Sequence, residues 1–472
     1  MNDDDADDDR PVASSLSRRR LLALTSVGIA GGVAGCGGSG GDGTDTPAET
    51  ADPTASPTEP PTDTAASEAT ATPSQSATAT DVPTASPTDT ATAAPQRFSV
   101  PEGGSEIDPG DGFADPAPWL EEEDVEVRVV SEPTLEAFDE AVNAAGPRVV
   151  VFETSGTIDL GEARFTVDHD KLYLAGQTAP SPGITLIRGG FWVNANDCVI
   201  QHLRVRPGDA GNESGWEPDT VRTADGSRNN VIDHCTATWS VDENVSPGYE
   251  STDTTFSNCI VAEALNEASH HKGPHAYGLL VGNGATGVAL LGNVFAHNVA
   301  RNPRLKAETE SAVANNVMYH FNEAVNLDPS TVSSIVGNAF LRADEDDSNI
   351  EDGQAYVEDN ITDGDANMVA GTEVYAGRAI WPTGFTAMDS EDVVEHDLAY
   401  AGARPADRTD NDQRLVDAVR NGEGDYIDSQ DDVGGYPDLA ENTHSLEIPE
   451  SDLRGWLQAW AVAVEEPGVS PP

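Results

Sequence analysis

From Arg148 onward the apolar residues of this chain fall in short runs, each closed by glycine, asparagine or aspartate. Arg148 to Glu153 (RVVVFE) is apolar through its middle, Lys171 to Ala175 alternates, and Ile184 to Ile187 is a third such run. Runs of that length between turn-forming residues predict strands. A helical period appears early, where Thr134 to Ala145 (TLEAFDEAVNAA) puts Leu135, Phe138, Ala141 and Val142 on one face. It returns late, where Leu453, Trp456, Leu457 and Trp460 share a face.

The strand runs repeat. His202-Leu203, His234-Cys235, Asn258-Cys259, Asn293-Val294, Asn316-Val317 and Asn338-Ala339 each follow a short apolar run, at steps of 32, 24, 35, 23 and 22 residues. A β-sandwich predicts turns every 8–12 residues. A coil of 22 to 24 residues with insertions, and one polar residue at the same corner each time, predicts instead an all-β, right-handed parallel β-helix. Asparagine at an inward corner satisfies turn backbone groups and stacks on its neighbours as a ladder. On this reading residues 97–472 form one β-helix. The helix at Thr134 to Ala145 caps one end, and a C-terminal tail from about residue 366 packs along the side through the Leu453-Trp460 face.

The first hundred residues have another character. Ser17-Arg18-Arg19-Arg20-Leu21-Leu22 leads into an apolar run ending at Gly35-Cys36. Adjacent arginines before a short apolar region predict a twin-arginine export signal over residues 1–36, and Val33-Ala34-Gly35-Cys36 resembles a lipobox with Cys36 lipidated on the outer face of the cell membrane. An uncleaved signal anchor is the alternative. Residues 37–96, rich in Thr, Ala, Ser and Pro, bury too little apolar surface to fold and predict a disordered tether. The lipid anchor is the expected membrane contact, and a monomer is expected.

Charge narrows the partners. Against 83 acidic residues stand 25 lysines and arginines, a formal charge of −58. That excludes nucleic acid, whose phosphates need clustered cations. It also opposes an anionic substrate unless local cations or a bound metal reverse the field. A surface adapted to high salt accounts for the excess, because screening there leaves little long-range repulsion. Cysteines 198, 235 and 259 remain after the leader, an odd number without zinc spacing, and are expected as small core residues.

Two stretches carry candidate chemistry. Asn229 to Pro247 (NNVIDHCTATWSVDENVSP) sets carboxylates where strands meet turns, and Arg301 to Lys306 (RNPRLK) groups cations around a proline. With VVFETSGTIDL, LYLAGQTAPSPGITLI and CVIQHLRVRPGD they make a series over about Val149 to Phe340 that resembles the pectate lyase family of β-helices. The resemblance implies calcium-assisted β-elimination of polygalacturonate or a similar acidic polysaccharide. It assigns Asp219 and Asp242 to calcium. The family's further acid falls on Ser246, while Glu243 stands where glycine is usual and is expected as the third ligand. Arg301 matches the base that abstracts the C5 proton. Lys306 replaces a substrate-binding arginine, with Arg304 between them.

The family's substrate-binding lysine before an LIG-like strand falls here on Tyr277, with Lys272 and His275 in the preceding loop as substitutes. That loop, His270-His271-Lys272-Gly273-Pro274-His275, alternatively suits a transition metal. Asp233 and His234 are expected to be structural, and Trp216 and Trp239 either stack on sugar or pack in the core. Two other functions stay open: a β-helix glycoside hydrolase, which needs two carboxylates across the bond, and a non-catalytic polysaccharide-binding adhesin. The adhesin gives no reason for Arg301 to face an acidic cluster.

Overall fold

The computed structural model describes residues 98–121, 124–343 and 348–472, so the leader and the tether lie outside the described residues. Among the described residues the strands form three sheets of eleven, nine and nine strands, and every ladder joining them is parallel. Each coil gives one strand to each sheet in turn. Cys198–Gln201, Arg204–Arg206 and Val221–Thr223 make one coil, and Arg228–Asp233 begins the next on top of Cys198–Gln201. This is the expected parallel β-helix. Its bore is filled by one residue of each strand pair, among them Ile200, Val205, Val221, Ile232, Ala237 and Val245.

Helix α1 (Leu135–Val142) closes the N-terminal end as its periodicity predicts. Thr134 caps it by accepting from Ala137 N at 3.3 Å. Its Phe138 lies 4.8 Å from the ring of Phe165, which stacks on Phe191 at 5.7 Å. Without this cover the first coil would expose its apolar bore.

The polar corner is real, but it comprises two columns rather than one. Ser257 pairs with Leu291 and Ile260 with Val294, so Asn258 lies beside Gly292 and Cys259 beside Asn293. His202, His234, Asn258, Gly292, Asn315 and Gly337 form an outer column with φ between 46° and 69°. Leu203, Cys235, Cys259, Asn293, Asn316, Asn338 and Asn360 form the inner one. The ladder proper is Asn293–Asn316–Asn338–Asn360. Each Nδ2 donates to the next Oδ1 at 2.9 Å, and each backbone N–H of the first three donates to that same oxygen at 2.9–3.0 Å. The sequence reading joined the columns because glycine, which also tolerates positive φ, occupies the outer position at 292 and 337. Cys235 and Cys259 thus sit in the ladder column itself, as buried free thiols.

The uneven coil lengths also have one cause. Between the second and third strands of a coil lie residues 207–220, 239–242, 263–276 and 297–303. The longest insertions fall at this single corner and build walls beside the third sheet.

The stack runs further than expected. Asn367–Ala370 and Glu373–Val374 still pair in parallel with earlier coils, so the tail begins after Val374 and not near 366. Helices α2 (Ser390–Tyr400) and α3 (Asp410–Asn421) cover the outer face of the second sheet through Val393, Leu398, Leu415 and Val416. There Asp412 accepts from Arg204 at 2.6 Å and Arg206 at 2.5 Å, all three buried. Helix α4 (Leu453–Glu465) covers Val149, Tyr173 and Val199 of the first sheet with Trp456, Leu457 and Trp460, as its apolar face predicts.

The ladder is testable. Asn316 donates to Leu290 O and Asn338 Oδ1 at 2.9 Å and accepts twice from Asn293. Asn316→Ala leaves several buried polar groups unpaired and is expected to cost about 2–4 kcal/mol in denaturant unfolding, whereas Asp365→Ala on the exposed surface stays within about 0.5 kcal/mol.

Candidate active site

The candidate residues meet on the third sheet, at the edge where the long insertions enter. Glu243 is the register partner of Tyr277, and Tyr277 forms a bridge with Ala300, the neighbour of Arg301. Thr220 N donates to Glu243 O at 3.0 Å, placing Asp219 one coil earlier in the same column. Residues 219, 243, 277 and 300 are therefore stacked at about one strand spacing, some 4.8 Å, per coil, with Arg301 next to the last of them.

Glycines allow the close approach. A Cβ at Gly190 would lie 2.1 Å from Asp219 O, and one at Gly278 would lie 2.6 Å from both Arg301 O and Asn302 Oδ1. The turn carrying Arg301 is held from beneath: Leu279 N donates to Arg301 O at 2.6 Å, and Asn302 Nδ2 donates to Asn298 O and Glu323 O. Asn298 in turn bonds Asn302 at 3.1 Å and accepts from Asn244 at 3.1 Å. Arg301 has φ +62°, a left-handed backbone uncommon for a long side chain.

One oxygen from each of Asp219, Asp242 and Glu243 lies within 4.8 Å of the other two. Burial and mutual repulsion push all three carboxyls up, Asp219 to about 7, Asp242 to about 6 and Glu243 to about 7. Oxygen ligands of calcium lie 2.3–2.6 Å from the ion, so pairs sharing one ion are at most about 5 Å apart. The cluster fits that limit, and its crowding of negative charge calls for a cation.

Arg301 supplies one positive charge. Its guanidinium pairs with Glu243 and lies 4.0 Å above the ring of Tyr277. Burial opposes its charge, but Glu243 and Tyr277 outweigh burial and hold the guanidinium proton more firmly than usual. Arg301 therefore faces the acidic cluster through Glu243.

The remaining candidates separate. Tyr277 and His275 belong to the site: their rings are 4.1 Å apart, and His275 Nε2 is 3.4 Å from Asp242 Oδ1. Lys272 lies within electrostatic reach of Asp242. His270 and His275 are pushed down to about 4 by burial, so at neutral pH these two imidazoles are neutral. Their rings stack with centroids 3.5 Å apart at 18°, yet each offers a ligand atom within 4.8 Å of the other and of Asp242, and Glu217, His270 and His271 form a second such group, so the loop keeps the donors of its transition-metal reading. Arg304 is taken by Asp328 at 2.7 Å, away from the carboxylates. On strand Arg304–Leu305 the inward residue is Leu305, which sends Arg304 and Lys306 to the outer face beside the cluster rather than into it.

Trp239 is buried at 0 % exposure beneath Arg206, 4.7 Å from its ring, and does not meet sugar. Trp216 is half-buried against the same cluster and donates to Gly208 O at 2.9 Å. Asp233 and His234 are structural, joined at 2.8 Å on the far side of the coil, with Glu465 of α4 nearby. The sequence reading missed Asn298, Asn302 and Gly278 as supports. Asn302 stood inside RNPRLK, but the other two carry no local signal.

The chain matches probable pectate lyase C of Aspergillus flavus at 30% identity over 330 residues, 64% of this chain and 74% of that protein. It matches probable pectate lyase C of Emericella nidulans at 30% over 361 residues, 66% and 82% of the two chains. Among solved structures, pectate lyase C from Erwinia chrysanthemi aligns at 16% identity, covering 63% of this chain and 97% of that one, with TM-score 0.43. No family model matches.

The raised carboxyls fix a sign. Their folded pKa exceeds the unfolded value near 4, so the folded state holds more protons and stability falls as pH rises from about 4 to 7. In chelator, Asp219→Asn is expected to melt above wild type at pH 8 and to lose that advantage at pH 5, by differential scanning calorimetry. If the cluster holds calcium, the pH 8 order reverses when calcium is added, because the variant then has one carboxylate fewer.

Proposed function

The chain belongs to the pectate lyase family, and from that premise we propose that it cleaves polygalacturonate by β-elimination with Arg301 as the base. The observation that carries the reading is the meeting of Arg301 with Asp219, Asp242 and Glu243 at one edge of the third sheet. The neutral guanidine of Arg301 takes the C5 proton, the C–H electrons form the C4=C5 bond, and the C4–O glycosidic bond breaks. The departing oxygen is protonated from solvent, and the product carries an unsaturated uronate at its new end.

An arginine with an ordinary pKa above 12 is a poor base, so both the acid and the base need tuning. Asp219, Asp242 and Glu243 would hold calcium, which when bound would supply electron withdrawal at the uronate and a positive charge that disfavours protonated Arg301. Tyr277 supports the guanidinium from one face, which fixes its direction through the proton transfer. Asn298 and Asn302 hold the turn that aims it. Lys272 and Lys306 bind uronate carboxylates on either side, Lys306 as a point charge without the bidentate geometry of arginine. The three carboxylates are packed within 4.8 Å, tighter than the roughly 5–9.5 Å a hydrolase needs across a glycosidic bond. A paired Arg301 and carboxylate cluster also has no purpose in an adhesin. The leader of residues 1–36 and the cysteine at 36 support export and a lipid tether, which would put the enzyme where its polymer is.

Polygalacturonate with calcium should give a steady rise in the ultraviolet absorbance of the unsaturated product, and chelator should abolish it. Arg301→Ala is expected to lower the rate about 10²–10⁴-fold while calcium still raises the melting temperature. A folded wild type that yields no unsaturated product with calcium would overturn the reading.

A further inference from the structure

The third sheet carries a second group of cations, toward its N-terminal end, that the chemistry above does not use. Thr166, Trp192 and Arg222 are register partners across three neighbouring strands. Their strand neighbours Phe165, Val167, Phe191, Val193 and Val221 fill the bore, so these three side chains face out. The guanidinium of Arg164 lies 3.8 Å from the Trp192 ring centre and that of Arg222 lies 4.7 Å from it. Among the described residues Arg164 is exposed and makes no ion pair, in a chain of charge −58. Arg222 reaches Asp225 at 3.0 Å and Asp219 at 3.4 Å, which ties this group to the edge of the carboxylate cluster.

We propose that Arg164, Trp192 and Arg222 form a distal subsite for a uronate carboxylate, several sugars from the bond that is cut. The inference rests on the polygalacturonate reading of Arg301 and its carboxylates. Its physical basis is preorganisation. An indole packed against two guanidinium groups holds them in place, so less side-chain freedom is lost when they meet a carboxylate. Arg304 belongs to the same outward row, opposite Leu280, as Arg222 is opposite Ser246. From Arg304 to Trp192 is four strand steps, about 19 Å along the stack. A polyuronate lying along the sheet meets cations at both ends of the cleft and the carboxylate cluster between them. In so acidic a protein these cations add a local field along the sheet that draws the polymer in rather than repelling it.

The test is chain length. Trigalacturonate placed over Arg301 cannot reach Trp192, whereas polygalacturonate can. Arg164→Ala and Trp192→Ala should each raise KM for polygalacturonate about 10-fold, so that the ratio of kcat/KM on polymer to that on trimer falls by the same factor, with kcat on polymer and the melting temperature held. Arg164→Lys should restore part of the ratio. If both variants cleave polymer and trimer in the wild-type ratio, the subsite is overturned and the lyase reading stands. If wild type retards on a polygalacturonate affinity gel without cleaving it, and Arg164→Ala weakens the retardation, the lyase reading fails and the subsite stands.

Discussion

The constraint on which this molecule depends is the register between coils. Each strand is hydrogen-bonded to its counterparts one coil before and one after, so a residue's neighbours in space are set by counting along equivalent positions, not by closeness in sequence. Asp219, Glu243, Tyr277 and Arg301 come together for that reason alone. The Asn293–Asn360 ladder guards the register from inside. Each amide both donates and accepts along the axis, and a slip of one residue would put an unpaired amide against a buried backbone carbonyl. Insertions are tolerated at one corner, between the second and third strands, because a loop there leaves the pairing on either side unchanged.

The repeat was legible because inward asparagines recur at the coil length, and the helices were legible because Phe138 and Trp456 lie on apolar faces. The register was read one residue off over half its length. The cause is physical: the outer corner needs positive φ, which His, Asn and Gly all satisfy, and a search for polar residues passes over Gly292 and Gly337. The end of the stack was misplaced because Asn367–Ala370 and Glu373–Val374 are short and partly exposed, and lack the apolar runs that mark earlier strands.

For the site, motif matching located Arg301, Asp219 and Asp242, and spacing alone would not have. The sequence could not show that Glu243 pairs with Arg301 across 58 residues, or that Arg304 is claimed by Asp328. Those outcomes depend on which strand face each side chain takes. Trp239 shows the same limit: it is covered by Arg206 and by Tyr436 of the tail, 6.2 Å away and nearly 200 residues on in the chain. Trp192 is the converse, a tryptophan inside an apolar run that reads as core yet faces outward because Phe191 and Val193 take the bore.

Electrostatics divides the molecule into regions with different rules. Over most of the described surface acids face solvent, where each costs little and all repel a polyanion at low salt. Inside, charge is matched pairwise: Asp412 accepts from Arg204 and Arg206, and Asp233 from His234, so neither acid has a reason to titrate near neutrality. The cluster of Asp219, Asp242 and Glu243 differs, since two buried carboxyls and the half-buried Asp242 outnumber the guanidinium groups of Arg301 and Arg222 beside them. A fold that only had to be stable would replace one of them, because removing a buried acid from such a group lowers repulsion without opening a cavity. Keeping all three makes sense if the excess negative charge is there to hold a divalent cation, whose charge would then oppose the protonated form of Arg301 that Glu243 otherwise favours.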